Sequence, residues 1–342
     1  MKSTTSIPER YHWSVRCYHG SGKIPIMKAF GELFLRRIPL SRIAIRIGSN
    51  KLKKMRKWYK YLLDKSRKGK LELSIDQDFK DHEKAMCGYK ADDAYCSKES
   101  FFNKYFWNYH YGRLECYDNF MRRHLKKGED VLSIASGRCA NELFLIEDGY
   151  KITCSDLKVF DAYQETKKLF PQFEFVEHDI LNTPLYSKYD TVICLSLIYL
   201  FNEEKLLAFF RNVSDSLKTG GHLILDFVGS PDNVLSFLLH DIYLKYEMKI
   251  ARAAKFLLIG QLPGLVVKHH GYRRTDEEII SAARKSGFEL LSQENYAFVT
   301  EFRRSYIFDK LVKQTSFIEK AFGIIGRNIP YIRMGHFLKL SA

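Results

Sequence analysis

The sequence predicts an α/β fold, a mostly parallel sheet covered by helices on both faces. Three observations carry that expectation. From residue 130 onward short apolar runs alternate with stretches of helical period, as parallel strands joined by crossover helices require. The first run ends in a loop of small residues around Gly137, and Asp156 and Asp179 close the second and third runs. In such sheets ligands sit at the carboxyl ends of the strands, where strand order reverses.

Taken in chain order, residues 1–95 form a basic, helical N-terminal region and residues 96–342 the α/β domain. Of the chain's net charge of +15, the segment from Lys23 to Lys70 carries +14, with sixteen Lys and Arg against Glu32 and Asp64. The basicity is therefore a local device. Within Ile24–Leu63 apolar residues recur at mostly three-to-four spacing around a break at Gly48-Ser49-Asn50, which reads as two basic amphipathic helices. Phe101–Leu125 is a strongly aromatic helix candidate ended by Lys126-Lys127-Gly128. Its first half, Phe101 to Tyr111, is expected to close over the cofactor or acceptor, with ordinary packing as the alternative for most of its rings.

The runs expected as strands are Val131–Ile134, Ile152–Cys154, Phe173–Val176, Thr191–Leu195 and His222–Phe227. Helices are expected over Asn141–Glu147, Phe160–Leu169 and Glu203–Leu217. Residues 231–268 read as an apolar helical insertion, a candidate lid over an acceptor pocket or simple packing on the sheet.

Seven scattered cysteines show no paired or metal-ligand spacing, which points to a reducing compartment without a metal site. The N-terminus lacks the apolar core of a signal peptide, and no run approaches the roughly 18 apolar residues of a membrane span. The chain is expected in the cytoplasm, or peripherally on the inner face of a membrane.

Ala135, Ser136 and Gly137 let a backbone approach a ligand closely, and the helix start that follows offers free N–H groups. Asp156 lies nineteen residues beyond Gly137, where a carboxylate accepts both hydroxyls of a ribose, or caps a helix. Asp179 can take the exocyclic amine of adenine while Ile180 packs the ring; an ordinary loop aspartate is the alternative.

From Asp130 to Phe227 these motifs resemble the class I S-adenosylmethionine-dependent methyltransferases. VLSIASGRC stands at the family's glycine-rich loop, CSDL at its ribose acid, EHDILN at its adenine site, YDTVICLSLIYLF at its fourth strand and LKTGGHLIL at the approach to its fifth. Further on, Tyr272–Ile279 and Ser286–Leu290 resemble its last helix and sixth strand, with Ser305-Tyr306-Ile307 as the seventh. The resemblance implies a seven-stranded Rossmann-like sheet of order 3-2-1-4-5-7-6 with the last strand antiparallel, and S-adenosylmethionine as cofactor. It places that cofactor against Ala135, Ser136, Gly137, Asp156, Leu157, Asp179, Ile180 and Leu195, with Arg113 reaching its carboxylate. Where the family carries an acid and two glycines, this chain has Ser133, Ala135 and Cys139, which predicts a somewhat looser loop. An NAD dehydrogenase fits less well, because its Gly-x-Gly-x-x-Gly fingerprint is incomplete here.

If the acceptor is a hydroxyl, a general base helps the transfer. Asp226 and His270 are the chosen candidates, ahead of Tyr199 and His269. Interleaved cations and large apolar residues in 23–70 suit an anionic membrane surface better than nucleic acid. The expected activity is O-methylation of a membrane-associated or anionic acceptor, a lipid-linked saccharide or a lipid. The alternatives are an RNA or small-metabolite methyltransferase, a catalytically inactive scaffold, and, for the basic segment, a solvated face on its own domain.

Overall fold

The computed structural model describes residues 86–107, 113–186, 188–228, 274–296, 316–326 and 332–341, with Tyr272 and Val312. The basic segment 23–70, the insertion 231–268, His269, His270 and Ser305–Ile307 lie outside the described residues.

Seven strands form one sheet in the order β3-β2-β1-β4-β5-β7-β6. They are β1 Asp130–Ile134, β2 Lys151–Asp156, β3 Glu174–Glu177, β4 Tyr189–Cys194, β5 Leu217–Val228, β6 Phe288–Tyr296 and β7 Ile332–Lys339. The first five pair in parallel, and β7 runs antiparallel to both β5 and β6. The order and the antiparallel strand are those the family resemblance implies. The seventh strand, however, is Ile332–Lys339 and not the 305–307 segment. Its residues from Ile332 to Phe337 are all buried, so it closes the sheet between β5 and β6 as a core strand.

Helices cover both faces: α1 Lys98–Phe102, α2 Arg113–His124, α3 Ala140–Glu147, α4 Tyr163–Leu169, α5 Glu203–Ser216, α6 Asp276–Arg284 and α7 Phe317–Gly326. Local chemistry sets their starts. Asn202 accepts the Lys205 N–H at the head of α5, and Thr275 and Glu278 form a reciprocal capping box on α6. One buried cluster gathers α2, α3 and the β1–β2 face, and the other packs α5 and α6 against β4 and β5.

The expected single helix over 101–125 is instead α1, a wider π turn at Asn103–Trp107, and α2 beyond the undescribed 108–112. The Phe101 and Phe102 rings are buried edge-on against Phe170, and Phe106 stacks on Phe144 at 4.4 Å. These rings are core, because edge and offset aromatic contacts on helical faces bury more than a ligand cover would leave exposed.

Away from the strands' carboxyl ends, three histidines converge. His336 Nε2 on β7 lies 3.0 Å from His222 Nδ1 on β5, and the His124 ring of α2 sits 4.3 Å from that of His336. Burial, with the charges of His124 and His222, pulls the His336 pKa down to about 4. Burial also lowers those of His124 and His222. An imidazole with a depressed folded-state pKa contributes stability that is complete above its unfolded value near 6.5 and is lost as pH falls toward 4. Thermal melts from pH 7 to 4.5 should show a loss of about 2–3 kcal/mol from His336, and His336→Gln should flatten that slope. An unchanged slope in the variant would assign the acid sensitivity elsewhere.

Among the described residues no helix is long and apolar enough to cross a membrane.

Candidate cofactor site

The five parallel strands end on one edge of the sheet, with the loop after the middle one, β1, bonded to the end of β2. Ala135, Gly137 and Cys139 have φ of 56°, 57° and 62°, all left-handed. A non-glycine residue there costs roughly 1–2 kcal/mol. The substitutions for glycine therefore do not loosen the loop as expected. The backbone keeps the conformation glycines adopt freely, and Ala135 and Cys139 are held in it.

Hydrogen bonds supply that constraint. Ser136 N–H donates to the Ser155 carbonyl at 3.0 Å, and Cys139 N–H closes a turn onto the Ser136 carbonyl at 2.8 Å. Gly137 N–H donates to Asp156 Oδ2 at 2.9 Å, while Oδ1 accepts the Leu157 N–H at 2.8 Å. At Gly137 an added Cβ would meet open space, so the surface above the loop is clear for a ligand.

Asp156 is only 3% exposed, yet the next side chain, Leu157, is 43% exposed beside exposed Val159 and Val176. An apolar strip next to a buried carboxylate is what a nucleoside needs: a flat face for the base and an acceptor for the diol. Asp179 stands half-buried beyond β3, its carboxylate accepting the Leu181 N–H at 3.0 Å and the Asn182 side-chain amide at 2.7 Å. Ile180 is buried. The residues present thus fit an adenosine-bearing cofactor. Ala135, Ser136, Gly137, Asp156, Leu157, Asp179, Ile180 and Leu195 all fall at these strand ends. Arg113 begins α2, and its side chain lies outside the described structure.

Asp226, 1% exposed, lies near the end of β5 beside the loop after β4. Its Oδ2 accepts the Tyr117 hydroxyl at 2.6 Å, and its Oδ1 accepts the Ser196 N–H. Ser196 has φ of 57° and lies with its Oγ 3.3 Å from the Tyr117 hydroxyl. The same loop is pinned by Arg274, which donates to the carbonyls of Ile198 and Phe201, and by the Tyr272 N–H on the Tyr199 carbonyl. Tyr199, Phe227, Tyr272 and Arg274 line a small recess there.

Sequence reasoning passed over Tyr117, Ser196, Arg138 and Glu142. Arg138, in the loop itself, is held between the rings of Tyr89 and Tyr105, each 4.1 Å from its guanidinium. So Tyr105, from the aromatic stretch 101–111, and Tyr89 before it reach the cofactor loop through Arg138, whereas Phe101, Phe102 and Phe106 of that stretch pack into the core. No periodicity marks these contacts; only a cation in an otherwise small-residue loop hints at one.

Residues 131–221, from β1 into β5, match a family model described as a methyltransferase domain. No curated protein matches the chain. Among solved structures it is similar to magnesium protoporphyrin IX methyltransferase from Synechocystis PCC 6803 with bound S-adenosylhomocysteine, at 18% identity over 67% of this chain and 83% of that one, with a TM-score of 0.40. It is also similar to geranyl diphosphate C-methyltransferase from Streptomyces coelicolor, at 12% identity over 66% and 79%, TM-score 0.43. A third is 1,6-didemethyltoxoflavin-N1-methyltransferase from Burkholderia thailandensis, at 11% identity over 67% and 78%, TM-score 0.43.

Proposed function

With residues 131–221 a methyltransferase domain, we propose that this chain transfers the methyl group of S-adenosylmethionine to an oxygen of a membrane-associated or anionic acceptor, a lipid or a lipid-linked saccharide. The observation that carries the cofactor is the Gly137–Asp156 hydrogen bond beside exposed Leu157, a diol acceptor and a base-stacking face on one strand end. The observation favouring the acceptor is the concentration of charge between Lys23 and Lys70, interleaved with large apolar residues.

When bound, the sulfonium supplies a methyl group already carrying a good leaving group. The chain's own residues then align and exclude water. Asp156 and Gly137 hold the ribose end. The Ser196 loop, fixed by Asp226 and Arg274, forms the wall on the acceptor side. A proton leaving an acceptor hydroxyl has a route through Ser196 or Tyr117 to Asp226, and His270 is the second proposed base.

The test is methyl transfer by the full chain from labelled S-adenosylmethionine to phosphatidylglycerol vesicles, phosphatidylcholine vesicles, a crude lipid extract, and total RNA. Label in the lipid phase, enhanced by anionic vesicles and reduced on removing residues 1–90, is the expected result. Label in RNA or in water-soluble products instead would move the acceptor to the alternatives. Binding of neither cofactor nor vesicles would leave an inactive scaffold.

A further inference from the structure

Glu142 points from the first turn of α3 into the protein behind the cofactor loop, 3% exposed, and methyl transfer as described above gives it no task. Ser133 Oγ of β1 donates to its Oε1 at 2.6 Å. The titratable groups facing it are Asp156 and Cys154 from β2 and Cys139 from the loop. Among the described residues no basic side chain pairs with it. Two carboxyl groups therefore stand near the end of β1: Asp156, bound to the Gly137 N–H of the loop, and Glu142, bound to Ser133 of the strand itself.

A carboxyl group buried beside a like charge keeps its proton more readily than one in water, and a nearby cation reverses that preference. Burial above all, with Asp156 adding to it, raises the Glu142 pKa to about 7, while the Ser133 hydroxyl opposes the shift. The proposed ligand of this loop is a cation at sulfur, and its demethylated product is not.

We propose that Glu142 is a charge-positioning residue that releases its proton to solvent when the sulfonium cofactor binds, so that preference for the methyl donor over the demethylated product rises with pH through neutrality. This rests on the cofactor reading above. The ionised carboxylate adds attraction for the donor's positive charge. Once the methyl group has left, that attraction is gone, the carboxyl group takes a proton back, and product release is favoured.

Calorimetric titration of the full chain with S-adenosylmethionine and with S-adenosylhomocysteine, at pH 6, 7 and 8 in buffers of different ionisation enthalpy, tests this. Donor affinity should rise about fivefold from pH 6 to 8 with proton release, which is what one unit of pKa coupling gives across that interval, and product affinity should rise about twofold at most. Glu142→Gln, which keeps the side chain's shape, should remove the donor's pH dependence and weaken donor binding about fivefold at pH 8. Ser133→Ala, which removes the opposing hydrogen bond, should move the midpoint upward. That variant also decides the matter if Glu142→Gln does not fold. A merely structural Glu142 would leave donor and product profiles parallel, and a pH slope retained in Glu142→Gln would overturn the proposal. If the unaltered chain binds neither ligand, the cofactor reading fails, and this proposal fails with it.

Discussion

Asp156→Ala should weaken S-adenosylmethionine binding by at least about a hundredfold, the largest effect expected of any cofactor-site substitution. A hydrogen bond to a charged group is worth about 1.5–3 kcal/mol, and the carboxylate is placed to receive two from a ribose diol. The same substitution removes the acceptor of the Gly137 and Leu157 N–H groups, so the loop that carries Ala135 and Cys139 at left-handed φ loses a restraint. Asp156→Asn separates the two effects. Its amide oxygen can still accept one backbone N–H, so thermal stability should largely recover while binding stays about tenfold weak. Asp179→Ala is the comparison: half-buried, with Leu181 and Asn182 as its side-chain partners among the described residues, it should cost less than Asp156→Ala. Calorimetry beside a thermal melt checks all three, and binding by Asp156→Ala equal to that of the unaltered chain would remove the cofactor assignment.

Asp226→Ala should cost about 3 kcal/mol of stability and reduce methyl transfer more than a hundredfold. Asp226 is buried, and its carboxylate is shared between two elements distant in sequence, Tyr117 of α2 and Ser196 after β4. Truncation leaves the Ser196 amide and the Tyr117 hydroxyl without this acceptor, and frees the strained Ser196 backbone to relax. Asp226→Asn again splits structure from chemistry. It can retain an acceptor for the Ser196 N–H, so stability should fall by only about 1 kcal/mol, but an amide takes up no proton. Turnover lost in Asp226→Asn with donor affinity intact supports the proton route. Turnover kept there would leave His270 as the proposed base and Asp226 as a support for the loop.

The parallel half of the sheet was legible because its physics is local. Val131–Ile134, Ile152–Cys154 and Thr191–Leu195 are short apolar runs that a sheet buried on both faces demands, and they fall on β1, β2 and β4. The strand-end acids were legible for a related reason. A polar residue ending an apolar run marks where the strand leaves the core, and Asp156 and Asp179 do so one after the other.

Beyond that half, sequence proximity ceases to report spatial proximity. Ile332–Lys339 enters between β5 and β6 by antiparallel pairing across a long chain separation, which no local pattern announces. The aromatic stretch before β1 showed its apolarity, but whether a ring meets a ligand or another ring depends on Phe144 and Phe170, set by helices still to come in the chain.

What the sequence by itself determined, then, is the α/β class, the apolar runs that became β1, β2 and β4, and the acid that ends β2, while the strand order came with the family resemblance. Tertiary structure alone decided the left-handed backbone at Ala135 and Cys139, the pairing of Ser133 with Glu142, and the joint grip of Tyr117 and Asp226 on Ser196. The reason is physical: alternation and period express whether each residue faces water or core, whereas backbone strain and a buried carboxyl group's proton depend on which groups from other elements are packed against them.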